Sequence, residues 1–307
     1  MQKLMIEFKR FHSTDGDFYS EYFPDGYTRG CEFSFANLYL WGKQNYSVYG
    51  DSLLLMSQFG QRTVYPFPLG RGDKASAVRE IMRDAEARGL VFRMSGISPE
   101  AREMLEEEFP DTFRFHTDEG SYDYVYLVED LAELKGKKYH TKKNHVNRFI
   151  EDNEGYEAVP IEGGNIPEVT EFIKEWYRAR LERDPNADFT METVALDRAL
   201  RHYTELGFEG ILIRVGGRIV AVTMASRMTD DTFDVNFEKA IAEVNGAYAI
   251  VNYEFARYIR NKYPEVRFLD REEDMGIEGL RRAKESYRPH HKVTKYWATL
   301  LKDENED

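Results

Sequence analysis

The chain lacks most of what would mark a secreted, membrane-spanning or metal-organised protein. It holds one cysteine in 307 residues, Cys31. No intramolecular disulfide can form and no zinc-type Cys/His spacing exists, so a reducing, cytoplasmic setting without a metal is expected. Long apolar runs are missing too. Leu53-Leu54-Leu55-Met56 is typical of the longest, against the ~20 residues that span a bilayer. Met1 to Phe11 mixes charged with apolar residues and carries no signal-like apolar segment. These absences imply a soluble, intracellular chain with no integral membrane contact. Gly-x-Ser-x-Gly, His-Glu-x-x-His and Gly-x-x-x-x-Gly-Lys-Ser/Thr are all absent, which removes the commonest hydrolase, metalloprotease and P-loop readings. Positive charge is in short supply: 42 Lys and Arg face 55 Asp and Glu, a net −13. A protein that coats DNA or an anionic membrane over its whole surface is excluded.

Apolar residues at 42% and charged residues at 32% are those of an ordinary globular chain, long enough for one or two domains. The periodicities repeat in coarse order. The first half reads as a hairpin over 46–56, a strand over 63–69, a helix over 74–88 stopped by Gly89, a strand over 90–94, a helix over 99–108 and a strand over 122–128. The second half reads as a helix over 169–183, then a hairpin over 211–222 turned by Gly216-Gly217. A strand over 232–237, a helix over 246–262, a strand over 266–269, a helix over 277–286 and a strand over 293–300 follow. Hairpin, strand, helix, strand, helix, strand thus occurs twice without a residue-level repeat. The expected architecture is α/β (α+β), with two similar domains, 1–150 and 151–307, and a solvated acidic tail over 303–307. Gly70-Arg-Gly-Asp-Lys-Ala75 fits a phosphate-loop spacing, but Pro66 and Pro68 do not suit the central parallel strand such a loop requires, and simple turn chemistry is the reading.

Charge is segregated along the chain. Lys135, Lys137, Lys138, Lys142, Lys143 and Arg148 occur within 135–149 with no acidic residue. Arg281, Arg282, Lys284, Arg288, Lys292 and Lys295 occur within 281–295 beside Glu285 alone. These two stretches carry +6 and +5 against −13 overall, which leaves −24 for the rest. Four of the seven histidines, His140, His145, His290 and His291, fall in them as well. A solvated basic face or a salt-bridge network is the plain alternative. One cluster in each half points instead to an anionic ligand held between the halves, with Lys138, Lys142, Lys143 and Arg148 as anion-binding residues. At 100° per residue Arg281, Lys284 and Arg288 share one helix face, where their mutual repulsion suits a bound phosphate or carboxylate. The carboxylate-rich loop Asp270 to Gly276 precedes them, just past a strand end, where α/β folds put ligands.

The order of elements in the second half resembles the Gcn5-related N-acetyltransferase (GNAT) fold. Asn245-Gly246-Ala247-Tyr248 stands where that fold holds the donor pyrophosphate, with Glu243 and Tyr248 replacing its usual basic or amide and small residues. Ala283-x-x-x-Tyr287 is similar to the family's Ala-x-x-x-Tyr, whose tyrosine protonates the departing thiolate. Asp270 to Pro289, Phe233-Asp-Val-Asn-Phe-Glu-Lys239, Gly246-Ala-Tyr, Asn252-Tyr-Glu-Phe-Ala256 and Lys137 to Phe149 resemble the phosphatidylglycerol lysyltransferase C-terminal-domain family. That family has tandem GNAT-like domains, each a mixed, mostly antiparallel sheet flanked by helices, and is related to the Fem-type aminoacyltransferases. The resemblance implies an acyl- or aminoacyltransferase whose donor is an aminoacyl-tRNA or an acyl-CoA, and a tRNA acceptor end or a small molecule as partner. In that reading Asn245, Gly246, Ala247 and Tyr248, with Arg281, Arg282 and Arg288, bind the donor. Lys284 is the family's basic helix residue, Asp274 or Glu238 takes the acceptor's proton, and Tyr287 protonates the leaving group. The competing class is a non-catalytic CoA, nucleotide or tRNA-binding module with a degenerate GNAT site.

Overall fold

The computed structural model describes residues 5–42, 44–60 and 62–301; the acidic tail expected over 303–307 lies outside the described residues. In chain order the first elements are β1 (Lys9–Arg10), α1 (Gly16–Ser20), α2 (Phe35–Leu40), β2 (Gln44–Tyr49), β3 (Ser52–Phe59), β4 (Arg62–Pro66), β5 (Leu69–Gly70), α3 (Lys74–Arg88), β6 (Arg93–Ile97), α4 (Pro99–Glu108) and β7 (Phe113–Thr117). The middle of the chain forms β8 (Asp123–Leu127), α5 (Val128–Glu133), α6 (His140–Asp152), β9 (Glu157–Pro160), α7 (Ile166–Arg183), α8 (Thr190–Arg201), β10 (Phe208–Val215) and β11 (Arg218–Thr229). Then come β12 (Thr232–Ala240), α9 (Ala247–Lys262), β13 (Phe268–Asp270), α10 (Glu278–Glu285), β14 (His291–Val293) and β15 (Tyr296–Leu300).

Local chemistry sets many of these limits. Asp73 accepts the Ala75 N–H at the start of α3, and Gly89 closes that helix in the left-handed region at φ +67°, where a Cβ is costly. Ser98 caps α4 through the Ala101 N–H, with Pro99 in its first turn and no donor lost. Gly216 and Gly217, at φ +55° and +79°, turn the β10–β11 hairpin. Gly70, Gly72 and Asp73 form a turn rather than a phosphate cradle: the Arg71 and Gly72 N–H groups both donate to the Asp51 carbonyl. A Cβ on Gly70 would stand 2.3 Å from that same oxygen.

The chain divides into two compact units: 1–123 with 293–307, and 124–292. The expected boundary at residue 150 differs from this division at both ends of the second unit. In the first unit the sheet runs β1-β2-β3-β4-β6-β15-β7, with β5 on β3, and β4 pairs β6 in parallel. Its core gathers Leu54, Tyr65, Phe67, Val78, Ile81, Phe92, Met94, Leu105 and Ala298. In the second unit the sheet runs β14-β8-β13-β12-β11-β10-β9, with β12 and β13 parallel. There Phe233, Val235, Ile250, Phe255, Ile259 and Leu269 pack with Tyr124 and Tyr126 of β8. Each unit therefore takes one strand from the other half of the sequence. β15, near the end of the chain, is inserted between β6 and β7, while β8, from the middle, lies between β13 and β14. Both units show the order of hairpin, strand, helix, strand and helix expected from the periodicity. Leu181 is exposed, and α7 buries Val169, Phe172, Ile173 and Tyr177. Among the described residues no helix is long and apolar enough to cross a membrane.

Candidate active site

Everything in the candidate site lies in the unit 124–292. β12 and β13 pair only at Thr232, Phe233 and Asp234 against Phe268, Leu269 and Asp270. From Val235 to Ala240 that edge of β12 has no strand partner among the described residues. β13 ends at Asp270, and the chain reverses through left-handed residues, Glu272 at φ +56° and Met275 at +52°. Arg271 sits at the mouth of the opening. Its Nη2 donates to Glu238 Oε1 of β12 at 2.9 Å, so one guanidinium bridges the two diverging strands. Both side chains are only 14% exposed, and the second terminal nitrogen, Nη1, is buried without a hydrogen-bond partner. Burial works against the Arg271 charge, but the Glu238 carboxylate and the phenols of Tyr126 and Tyr287 more than offset it and raise its pKa.

Tyr287 follows α10, and two basic side chains contact its ring. The Lys142 ammonium of α6 sits 4.1 Å from the ring centroid and the Arg271 guanidinium 5.1 Å from it. Burial pushes the Tyr287 phenol up to about 12, with Arg271 opposing and Glu238 assisting, so it stays protonated at neutral pH. Lys142 is half-buried. Desolvation and the neighbouring Arg271 charge lower its pKa, while Glu238 opposes them. The site thus holds two basic side chains and one carboxylate.

Lys284 and Asp274 are brought close but serve the loop. Lys284 is nearly buried, and its Nζ donates to the backbone carbonyls of Arg271 and of Glu272; its own carbonyl accepts the Tyr126 hydroxyl at 2.8 Å. Asp274 is fully buried. Its carboxylate accepts the Tyr124 hydroxyl at 2.7 Å, the Gly276 N–H at 2.8 Å and Arg281 through Nε at 2.8 Å and Nη2 at 3.2 Å. Arg281 first, then the Tyr124 and Gly276 donors, hold its acidity down to about 2 against the effect of burial. A carboxylate so fully engaged fastens the turn and has no lone pair left for an acceptor's proton.

The Asn245–Tyr248 segment begins α9, which has no side-chain cap. Gly246 is left-handed at φ +79°, and a Cβ there would lie 2.8 Å from the His145 carbonyl of α6 and 3.0 Å from Phe149 Cβ. This glycine answers the close approach of α6. Gly246→Ala is expected to cost roughly 2–3 kcal/mol, from the left-handed strain and the overlap together, read as a lowered urea midpoint at unchanged m-value. Tyr248 is partly exposed, and burial of its phenol raises its pKa.

The basic residues sort by partner. Local carboxylates answer Arg281 (Asp274, 2.8 Å), Arg282 (Glu278, 3.6 Å), Lys292 (Glu285, 2.6 Å), Lys138 (Asp130, 3.0 Å) and Arg148 (Asp152, 3.6 Å). Lys137, Lys142, Lys143 and Arg288 have no such partner among the described residues. The expectation of one basic cluster per half is corrected: apart from Lys295, both stretches belong to the same unit. Lys295 lies in the other unit with Cys31, Glu32 and Asp123, whose potential ligand atoms come within 4.8 Å of one another. The Lys295 ammonium already occupies that cluster, 2.7 Å from Asp123 Oδ1 and from Glu32 Oε2 and 3.7 Å from Cys31 Sγ. Arg271, which bridges the strands, was not among the expected site residues. The signal that could have found it is its place directly after the strand that ends at Asp270.

The two units are tandem GNAT-like domains. Residues 26–299 match the family described as phosphatidylglycerol lysyltransferase, C-terminal, and the chain belongs to that family. It is similar to a conserved protein of unknown function from Bacteroides thetaiotaomicron, at 37% identity and TM-score 0.90 over 96% of this chain and all of that one. It shares its fold with L-PGS from Bacillus licheniformis, at 18% identity and TM-score 0.61 over 85% of each chain. FemX is similar at 10% identity and TM-score 0.62 over 98% of each. An uncharacterized protein of Mycoplasmoides gallisepticum is 23% identical over 189 residues, 60% of this chain and 58% of that protein's length.

Proposed function

We propose that the protein transfers an acyl or aminoacyl group from an anionic, activated donor to an amine or hydroxyl acceptor, in the opening between β12 and β13. The observation that carries this reading is the basic pair at the opening, Arg271 and Lys142. Arg271 has a buried nitrogen with no partner, and both it and Lys142 contact the Tyr287 ring. A donor carbonyl lying along the unpaired edge of β12 would place its developing oxyanion toward Arg271, where a fixed donor in a desolvated site is most effective. Tyr287, protonated at neutral pH, is suited to supply a proton to the leaving oxygen or sulfur. Lys284 and Asp274 act by holding the Arg271 loop, and Glu238 by aiming Arg271.

The donor is an aminoacyl-tRNA or an acyl-CoA, with the cytoplasm as the working compartment. The unpartnered Lys137, Lys143 and Arg288 add charge to the same unit and favour the larger polyanion. Calorimetry with CoA, with charged tRNA and with uncharged tRNA separates the two. These three cations engaged by RNA phosphates give a salt slope near −2, about a 20-fold loss of affinity between roughly 50 and 200 mM salt, whereas CoA binding falls much less. Failure of all three to bind would overturn the proposal and leave a structural role.

A further inference from the structure

An acyl transfer to an amine or hydroxyl needs a group to take the acceptor's proton, and the carboxylates near the opening are poorly placed for it. Asp274 is spent on four hydrogen bonds, and Glu238 is engaged by Arg271. An ordinary carboxylate is also badly matched to a protonated amine near neutral pH. We propose that Lys142 is the catalytic base of this site. The inference rests on the donor-site reading above and adds the residue that moves the proton.

Six lysines among the described residues are not fully exposed. Five have partners that stabilise the ammonium: Lys74 with Asp25, Lys239 with Glu192, Lys292 with Glu285, Lys295 with Asp123, and Lys284 with two backbone carbonyls. Lys142 alone has no carboxylate or carbonyl within hydrogen-bond distance among the described residues; it rests on the Tyr287 ring. The groups that face it are the Tyr287 ring, the Arg271 guanidinium and the Glu238 carboxylate. Desolvation first, then the Arg271 charge, lower the Lys142 pKa, with the Glu238 carboxylate opposing them. The ring it rests on belongs to Tyr287, the proton donor proposed for the leaving group.

The chemistry balances without a further reactant. Lys142 Nζ takes the proton from the acceptor's N–H or O–H as that atom bonds to the donor carbonyl carbon. The carbon–oxygen bond of an ester donor, or the carbon–sulfur bond of a thioester, then breaks. The departing atom takes a proton from the Tyr287 hydroxyl, and the new Lys142 ammonium returns one to the phenolate. Lysine and tyrosine are regenerated.

The test has two arms. Trace acetylation of the intact protein with acetic anhydride across pH 6–10, read by peptide mass spectrometry, is expected to bring Lys142 to its plateau at lower pH than the exposed Lys143. Coincident profiles would overturn the proposal. In the second arm, with whichever of charged tRNA or acyl-CoA the wild type turns over, Lys142→Arg is expected to keep donor affinity within about twofold. It should lower kcat by about 100-fold or more and lose the limb of the pH profile that rises as the amine deprotonates. Lys142→Ala should regain part of its kcat with added methylamine. Unchanged kcat and pH profile in Lys142→Arg, or loss of donor affinity in place of kcat, would sink the inference alone. Absence of donor binding by the wild type would sink the donor-site reading and the inference with it.

Discussion

Asp274→Ala is expected to lower the stability of the unit 124–292 by about 3–5 kcal/mol, the range for breaking one side of a buried charged network. The carboxylate is fully buried, and its removal orphans three donors at once: the Tyr124 hydroxyl, the Gly276 N–H and the Arg281 guanidinium. The loop it fastens holds Glu272 and Met275 in the left-handed region, strain that persists only while the surroundings enforce it. Urea unfolding should show the loss, with Asp274→Asn intermediate, because an amide can replace only part of the acceptor set. The acidity of Asp274, depressed from 3.8 to about 2, fixes the direction of the pH dependence. A lowered folded-state value means the contribution is complete above about pH 4 and is lost as the pH falls toward 2. Asp274→Ala should remove that part of the acid sensitivity. An alanine variant as stable as the wild type would show that the loop holds its shape by other means.

Arg271→Gln is expected to abolish most transfer while leaving the chain folded. Its guanidinium reaches from the end of β13 to Glu238 of β12 at 2.9 Å, and its Nη1 is buried without a hydrogen-bond partner. Loss of one fixed donor at an oxyanion costs about 10²–10³ in kcat. The substitution also leaves Glu238 without its cation, which adds an unfavourable anion beside an anionic donor. Arg271→Lys should recover little, because an ammonium cannot hold Glu238 and present a second donor in the guanidinium's planar geometry. Steady-state rates with the bound donor, together with circular dichroism to establish folding, provide the check. Wild-type rates in Arg271→Gln would remove it from the chemistry.

Elements with local causes were the most legible in the sequence. The β10–β11 hairpin follows from Gly216-Gly217, and α3 from an apolar face ended by Gly89. The helices over 247–262 and 278–285 fall within two residues of the periodicity. α6 was hidden because its buried face is only Val146 and Phe149, too few apolar positions amid lysines to declare a helix. The exchange of β8 and β15 had no local signal at all. Asp270 pairs Val125, and Tyr296 pairs both Ile97 and Thr117, contacts set by the fold of the whole chain. For that reason a boundary near 150 looked natural.

The site was legible in composition and less so in roles. Lys142, Glu238, Tyr287 and the loop from Asp270 were singled out, and they come together. The roles of Lys284 and Asp274 could not be read, because a buried ammonium on carbonyls and a carboxylate on three donors look the same in sequence as catalytic groups. Arg271 was masked by Glu272 and Glu273, which appear to be its partners until the chain reversal sends it toward Glu238. The two basic stretches seemed to be one site of high charge. Pairing with Asp130, Asp152, Asp274, Glu278 and Glu285 neutralises much of it and leaves the few cations that matter.

The central claim is that the unpaired edge of β12 is the donor site of a transferase. A crystal structure with a non-hydrolysable 3′-aminoacylamino-adenosine, and another with CoA, tests it most directly. Density for one of them is expected along Val235 to Ala240, with its acyl carbonyl within hydrogen-bond distance of Arg271 and its reacting carbon beside Lys142 and Tyr287. Ligand bound elsewhere on the chain, with the β12 edge empty in both crystals, would contradict it.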